Sequence, residues 1–217
     1  IRDYYASRGL GDVYKRQRAD GVTYSVRTDS AVLISAPEAV GFFAVPAYVI
    51  SDGVRYPVTE LAQGAFEDCV ALTGVRIPDG VRVLGEGAFS GCTALEWVEM
   101  PEEMDALGRY VFSGCTSLSS VERAAGLRSI EASAFEGCFA LRRIVIGRLD
   151  SLGDRAFADC TELLSFVCAE ASVIGKDVFS SASSVVLYTA AGSALSEYGA
   201  ANGLKTAAVG AEPCFIS

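Results

Sequence analysis

Six phenylalanines, Phe66, Phe89, Phe112, Phe135, Phe157 and Phe179, recur at spacings of 23, 23, 23, 22 and 22 residues. Each anchors the same short string. Three residues after the first five stand Cys69, Cys92, Cys115, Cys138 and Cys160. Three further on stand Leu72, Leu95, Leu118, Leu141 and Leu163, and then Val75, Val98, Val121, Ile144 and Phe166. Five residues before each Phe is Leu61, Leu84, Leu107, Ile130, Leu152 or Ile174. The sixth unit carries Ala182 where the cysteine would be. Chance does not hold five columns in register over that many units. A unit of about 20–29 residues cannot bury its apolar side alone, so its neighbours must stack into one continuous core.

Each unit divides into a strand and a turn. The end of Leu72-Thr-Gly-Val75-Arg-Ile77-Pro78 alternates apolar and polar residues, as a half-buried strand does, and Glu96-Trp97-Val98-Glu99-Met100-Pro101 repeats it. Pro78 and Pro101 lack an N–H and close their strands. The stretch Val83-Leu84-Gly85-Glu86-Gly87-Ala88-Phe89 has glycines for tight corners and predicts an extended segment followed by a single helical or 3-10 turn. The expected fold is a right-handed solenoid with short parallel strands and little helix, an α/β repeat by class.

Composition removes several functions. The chain has no histidine, which takes away the commonest general base, the usual metal ligand and every catalytic triad that uses one. A net charge of −9 argues against nucleic acid, which calls for a basic stripe. The chain has no run of about 18 apolar residues, the length at which a helix could span a membrane. No phosphate loop, nucleophile elbow or metal motif is visible, so no catalytic residue, cofactor or metal is expected.

Five of the seven cysteines share one column. Stacked strands repeat at about 4.8 Å with their side chains parallel. A disulfide needs Cβ atoms about 3.5–4.5 Å apart and facing one another, and a zinc site needs four thiolates converging on a point. The column is therefore expected to hold buried thiols. Cys168 and Cys214 lie off it and are the pair to consider if any bridge forms.

The units are flanked by irregular segments. Residues 1–18 include Asp12-Val-Tyr-Lys-Arg-Gln17, which GATGTGTATAAGAGACAG encodes. That string resembles a transposon-end adapter, so this leader is expected to be non-native. It holds five Lys/Arg and two Asp/Glu, which leaves 13 basic against 25 acidic residues in the rest of the chain. Residues 19–60 are expected to form an irregular first turn and cap, with a hairpin across Ser51-Asp52-Gly53. Repeats fill 61–184, and 185–209 form a second cap. In that cap a strand at Val185–Tyr188 precedes a helix capped by Ser193 that ends at Asn202-Gly203. Residues 210–217 are a tail.

The string Leu84-Gly85-Glu86-Gly87-Ala88-Phe89-Ser90-Gly91-Cys92-Thr93-Ala94-Leu95-Glu96-Trp97-Val98-Glu99-Met100-Pro101 resembles the BspA-like leucine-rich repeats, and the resemblance covers about residues 40–190. Two features depart from the common leucine-rich repeat. The chain has a single asparagine, Asn202, and Arg123 replaces the Ile77/Met100 column in the third unit. The resemblance implies a secreted or surface-anchored bacterial protein that adheres to host, matrix or microbial proteins. A monomer is expected. A structural spacer within a larger surface protein is the alternative, and an enzyme is a weaker third reading.

Repeat arrays bind through the surface that their aligned strands present. The outward positions are read as Thr73, Gly74, Arg76; Glu96, Trp97, Glu99; Ser119, Ser120, Glu122; Arg142, Arg143, Val145; and Leu164, Ser165, Val167. From these, Arg76, Trp97, Glu99, Glu122, Arg142, Arg143 and Val145 are the candidate protein-binding face. Glu99 and Glu122 would form an acidic band beside a basic one at Arg142 and Arg143, with Trp97 as anchor. The alternative is a solvated face of cross-strand ion pairs, each worth about 0–1 kcal/mol.

Overall fold

The structure, a computed structural model, describes residues 3–5, 15–19 and 21–211. The strands β1 (Asp3–Tyr5), β2 (Lys15–Ala19), β3 (Val22–Val26) and β4 (Ala31–Ser35) pair antiparallel in sequence order. β2 runs across position 18, where the adapter-like leader is expected to end; positions 1–2 and 6–14 of that leader lie outside the described residues. β5 (Gly41–Ala44) precedes a hairpin of β6 (Tyr48–Ser51) and β7 (Val54–Leu61). Its two-residue turn, Asp52-Gly53, takes φ of 50° and 78°. Two positive φ values match the twist of a tight hairpin.

Regular coils follow. β8 (Leu72–Arg76) and β9 (Val83–Leu84) belong to the first, β10 (Trp97–Glu99) and β11 (Ala106–Leu107) to the second, and β12 (Ser120–Glu122) and β13 (Ser129–Ile130) to the third. The next two coils are long strands, β14 (Arg143–Leu152) and β15 (Ser165–Ile174), that bend through both sides of the solenoid. The chain closes with β16 (Val186–Thr189), α1 (Ala194–Ala201) and β17 (Lys205–Ala208). One parallel sheet runs β5-β8-β10-β12, and another runs β11-β13-β14-β15-β16-β17. The expected solenoid of short parallel strands is therefore the fold, with one α-helix among the described residues.

The sequence columns become rows in the core. The six phenylalanines from Phe66 to Phe179 stack with centroids 4.9 to 5.7 Å apart and interplanar angles of 10° to 20°. Aromatic edges close both ends. Phe43 meets Phe66 edge-on at 5.3 Å, and Phe166 meets both Phe157 and Phe179 edge-on. Tyr198 of α1 then covers Phe179 at 6.3 Å and accepts the Val178 N–H through its hydroxyl. Ser193 caps that helix by accepting the Ser196 N–H.

The turn side is hydrogen-bonded as thoroughly as the strand side. Each Phe N–H from Phe66 to Phe157 donates to a carbonyl of the next unit at 2.7 to 2.9 Å. Each Phe carbonyl accepts the N–H of the cysteine three residues on. For Phe66, Phe89, Phe112 and Phe135 it also accepts the thiol of the following unit's cysteine, at 3.0 to 3.2 Å. The cysteine column thus has a physical role: a small buried donor fills the second lone pair of a buried carbonyl. Cys69 makes the same bond to Ala36. Ala36 therefore stands in the phenylalanine row of a degenerate first coil, and Phe43 packs edge-on against Phe66 beside it.

Arg123 breaks the pattern. A guanidinium in the buried Ile77/Met100 row would lose its hydration without a partner. The backbone instead turns left-handed at Arg123 (φ 62°), the side chain leaves the core, and Ala124 is buried behind it at the start of a 3-10 turn. Cys168 lies in this same row, in register with Ile146, and its thiol is free and buried, donating to Glu170 O. Its suggested partner Cys214 lies outside the described residues.

Phe112 sits mid-stack with no exposed surface. Phe112→Ala should lower the unfolding free energy by about 3–5 kcal/mol, read as a shift in the urea midpoint. A loss below about 1 kcal/mol would mean that the stack does not support the core.

Candidate functional site

The parallel sheet that starts at β5 presents two rows of outward side chains. Registration places Phe42, Gly74, Trp97 and Ser120 in one row and Arg76, Glu99 and Glu122 in the other. Gly74 carries no side chain, and Trp97 lies across it. A Cβ at Gly74 would fall 2.4 Å from the indole, so the ring can occupy this place only over glycine. Across the glycine it stacks on Phe42, with centroids 5.4 Å apart and planes 20° from parallel. Phe42 is 53% exposed, and the Arg76 guanidinium lies over its ring at 5.7 Å. The result is an exposed Phe42 ring stacked on a half-buried Trp97 and edged by a cation.

The second row is an ionic network. Arg76 binds Glu99 at 2.6 Å, and Arg123 binds the same carboxylate at 3.1 Å while approaching Asp79 and Glu102. The side-chain flip that takes Arg123 out of the core therefore delivers it to the acidic band. Glu122 lies next to Glu99 in the row and is exposed.

The face is not continuous over all its candidate residues. Arg76, Trp97, Glu99 and Glu122 share one sheet, whereas Arg143 and Val145 belong to the next. Arg142 is held by Glu162 at 3.0 Å. Ser165 and Val167 are buried at 2% and 6% exposure, so the outward face ends before them. Two contributors escape the sequence reading. Phe42 lies outside the regular repeats, and its signal is the Phe42-Phe43 pair, in which neighbouring strand residues must point to opposite faces. Arg123 reads there as a defect of the third unit.

Nothing else in the described residues gathers reactive groups. No three Asp, Glu or Cys side chains there converge to hold a metal. No described helix is long and apolar enough to cross a membrane. Burial raises the thiols of Cys138, Cys160 and Cys168, the last two to about 12 and about 11, and leaves them un-ionised at neutral pH. The adjacent Cys115 thiol, with burial added, pushes Cys92 up to about 12. These are inert core thiols.

Residues 59–186 match the BspA type leucine rich repeat region in six copies. No curated protein matches the chain in sequence. Solved structures that resemble it include the following two. A leucine rich cell surface protein from Faecalibacterium prausnitzii A2-165 shares 21% identity over 80% of this chain and 54% of its own, with a TM-score of 0.66. The chain thus spans about half the length of that protein. The T. pallidum leucine rich repeat protein shares 22% identity over 88% of this chain and 97% of its own, with a TM-score of 0.61.

Two outcomes follow from this geometry. Gly74→Ala should displace the indole; since Trp97 is the one tryptophan, intrinsic emission should move to longer wavelength while the far-ultraviolet circular dichroism stays unchanged. An unaltered emission spectrum would place the ring elsewhere. The raised thiols fix a pH dependence. A folded pKa above the unfolded value, roughly 8.5 for cysteine, gives stability that is complete below that pH. It is lost as pH rises toward the folded values of about 11 and about 12. Each such thiol contributes a slope of up to about 1.4 kcal/mol per pH unit. The urea midpoint should therefore fall between pH 8 and pH 10, and fall less steeply in Cys160→Ala.

Proposed function

Because the chain belongs to the BspA type leucine rich repeat family, we propose that it is a non-catalytic scaffold that binds a protein ligand at a bacterial surface. The ligand class is a host, matrix or microbial protein, and the protein is secreted or surface-attached and acts as a monomer without a cofactor. The cell-surface description of the F. prausnitzii structure supports the location.

The observation that carries this reading is the Phe42–Trp97 pair. A soluble monomer gains little from holding two stacked aromatic rings at its surface with a guanidinium over them. Trp and Arg are the residues most enriched where protein interfaces concentrate their energy. Rigid rings add contact area at small entropic cost, and the arginine at their edge supplies direction.

A spacer role is the second reading, and one observation favours it. Arg82–Glu103, Arg142–Glu162 and Arg148–Glu170 pair exposed charges of one coil with those of the next, within the chain itself. Binding assays on immobilised matrix proteins such as fibronectin and fibrinogen, and on whole bacterial cells, separate the two. The binding reading expects a saturable ligand and at least about tenfold weaker binding by Trp97→Ala, equal to about 1.4 kcal/mol. Saturable binding that survives Trp97→Ala unchanged would remove the aromatic pair from the interface. No saturable partner in either panel would favour the spacer.

A further inference from the structure

The two parallel sheets fail to join at one place on the strand face. β12 pairs with β10, and β14 pairs with β15 and, at its far end, with β13, but β12 and β14 are not a hydrogen-bonded pair. The N–H of Glu96 donates to Thr73 O, that of Ser119 to Glu96 O, that of Leu164 to Arg142 O and that of Val186 to Leu164 O. Among the described residues the corresponding bond from Arg142 to Ser119 is missing. At this break β12 is followed directly by the left-handed turn at Arg123 and the 3-10 turn behind it.

The break opens a cleft of about 480 Å³, lined by Ser119, Ser120, Val121, Arg123, Arg143 and Val145 among others. That volume falls in the range of ordinary ligand sites, about 300–1,000 Å³. Its walls differ in kind. Arg123 is fixed by Glu99, Asp79 and Glu102. Arg143 makes no ion pair among the described residues, on a chain whose net charge is −9. Val145 is 41% exposed and Val121 is half-buried. By position in the repeat Arg143 follows Ser120, and Val145 follows Glu122. An anion on Arg143 would therefore sit beside a hydroxyl rather than beside the carboxylate.

We infer that this cleft binds an extended segment of a partner polypeptide that carries an acidic side chain. Two strand edges leave backbone donors and acceptors unpaired, and a polypeptide is the partner whose own backbone repeats to match them. The acid is taken by Arg143, and an apolar neighbour in the segment covers Val121 and Val145. This rests on the protein-binding reading but uses none of the residues of the aromatic pair, so the two can fail separately.

The test is a selection of random linear heptapeptides on the intact chain, with counter-selection on Arg143→Gln. The expected winners share an acid at one position. A synthetic winner should shift the amide resonances of residues 119–121 and 143–145, bind at least tenfold more weakly with its acid replaced by the amide, and lose as much on Arg143→Gln. Arg142→Gln, which alters the adjacent but already paired arginine, should bind normally, and the Trp97 emission of every variant should match the parent. The inference is overturned if no winner distinguishes the parent from Arg143→Gln. It is also overturned if the shifts fall on Phe42, Gly74 and Trp97, or if inorganic phosphate or N-acetylneuraminic acid competes as tightly as the peptide.

Discussion

The structure depends on one contact repeated from unit to unit: the Phe carbonyl that accepts both its own unit's cysteine N–H and the next unit's cysteine thiol. Turns are where a coiled chain would ordinarily leave buried polar groups unpaired, and each one costs about 1–3 kcal/mol. Here the turn backbone forms a ladder of its own, and the phenylalanine rings it carries stack into a continuous row. Strands on one side and turns on the other then hold neighbouring units along two seams, the strand seam being interrupted between β12 and β14. The ends are closed by aromatic edges, Phe43 at one and Phe166 and Tyr198 at the other, so that the row does not meet water.

The regular rows are legible in the sequence because stacking turns position in the unit into position in space. Leu84 follows Leu61 and Ile130 follows Leu107 with their spacing intact. Local chemistry is legible too: Asp52-Gly53 makes the hairpin and Ser193 starts the helix. What cannot be read this way is any contact between residues that break the period. Ala36 takes a place in the phenylalanine row although its side chain is small, and its backbone hydrogen bonds with Ala65 and the Cys69 thiol show it. Cys168 lies off the cysteine column in the sequence, yet belongs to the Ile146 row. β17, after the helix, has no periodic signal and is recruited by the free edge of β16.

The candidate site follows the same division. Arg76, Trp97, Glu99 and Glu122 lie on one strand face as their spacing implies. Trp97 nevertheless finds its partner two strands away in Phe42, across a glycine whose role is to be absent. Arg123 is the reverse case. Its charge spoils a core row, and the left-handed turn that frees it completes the ionic network around Glu99 beside the place where β12 and β14 are unpaired. The places where the repeat fails are thus the places where the surface acquires distinct chemistry, while the regular rows supply the rigidity that holds it.

Native-state amide hydrogen exchange tests the central claim, that the units are coupled through the turn ladder, most directly. If it holds, the amides of Phe66, Phe89, Phe112, Phe135 and Phe157, each bonded to the following unit, exchange only through global unfolding. They should then share one opening free energy, with Arg142 far less protected than Glu96, Ser119 and Leu164. Phenylalanine amides that exchange with unrelated free energies from unit to unit, or an Arg142 amide as protected as its counterparts, would contradict it.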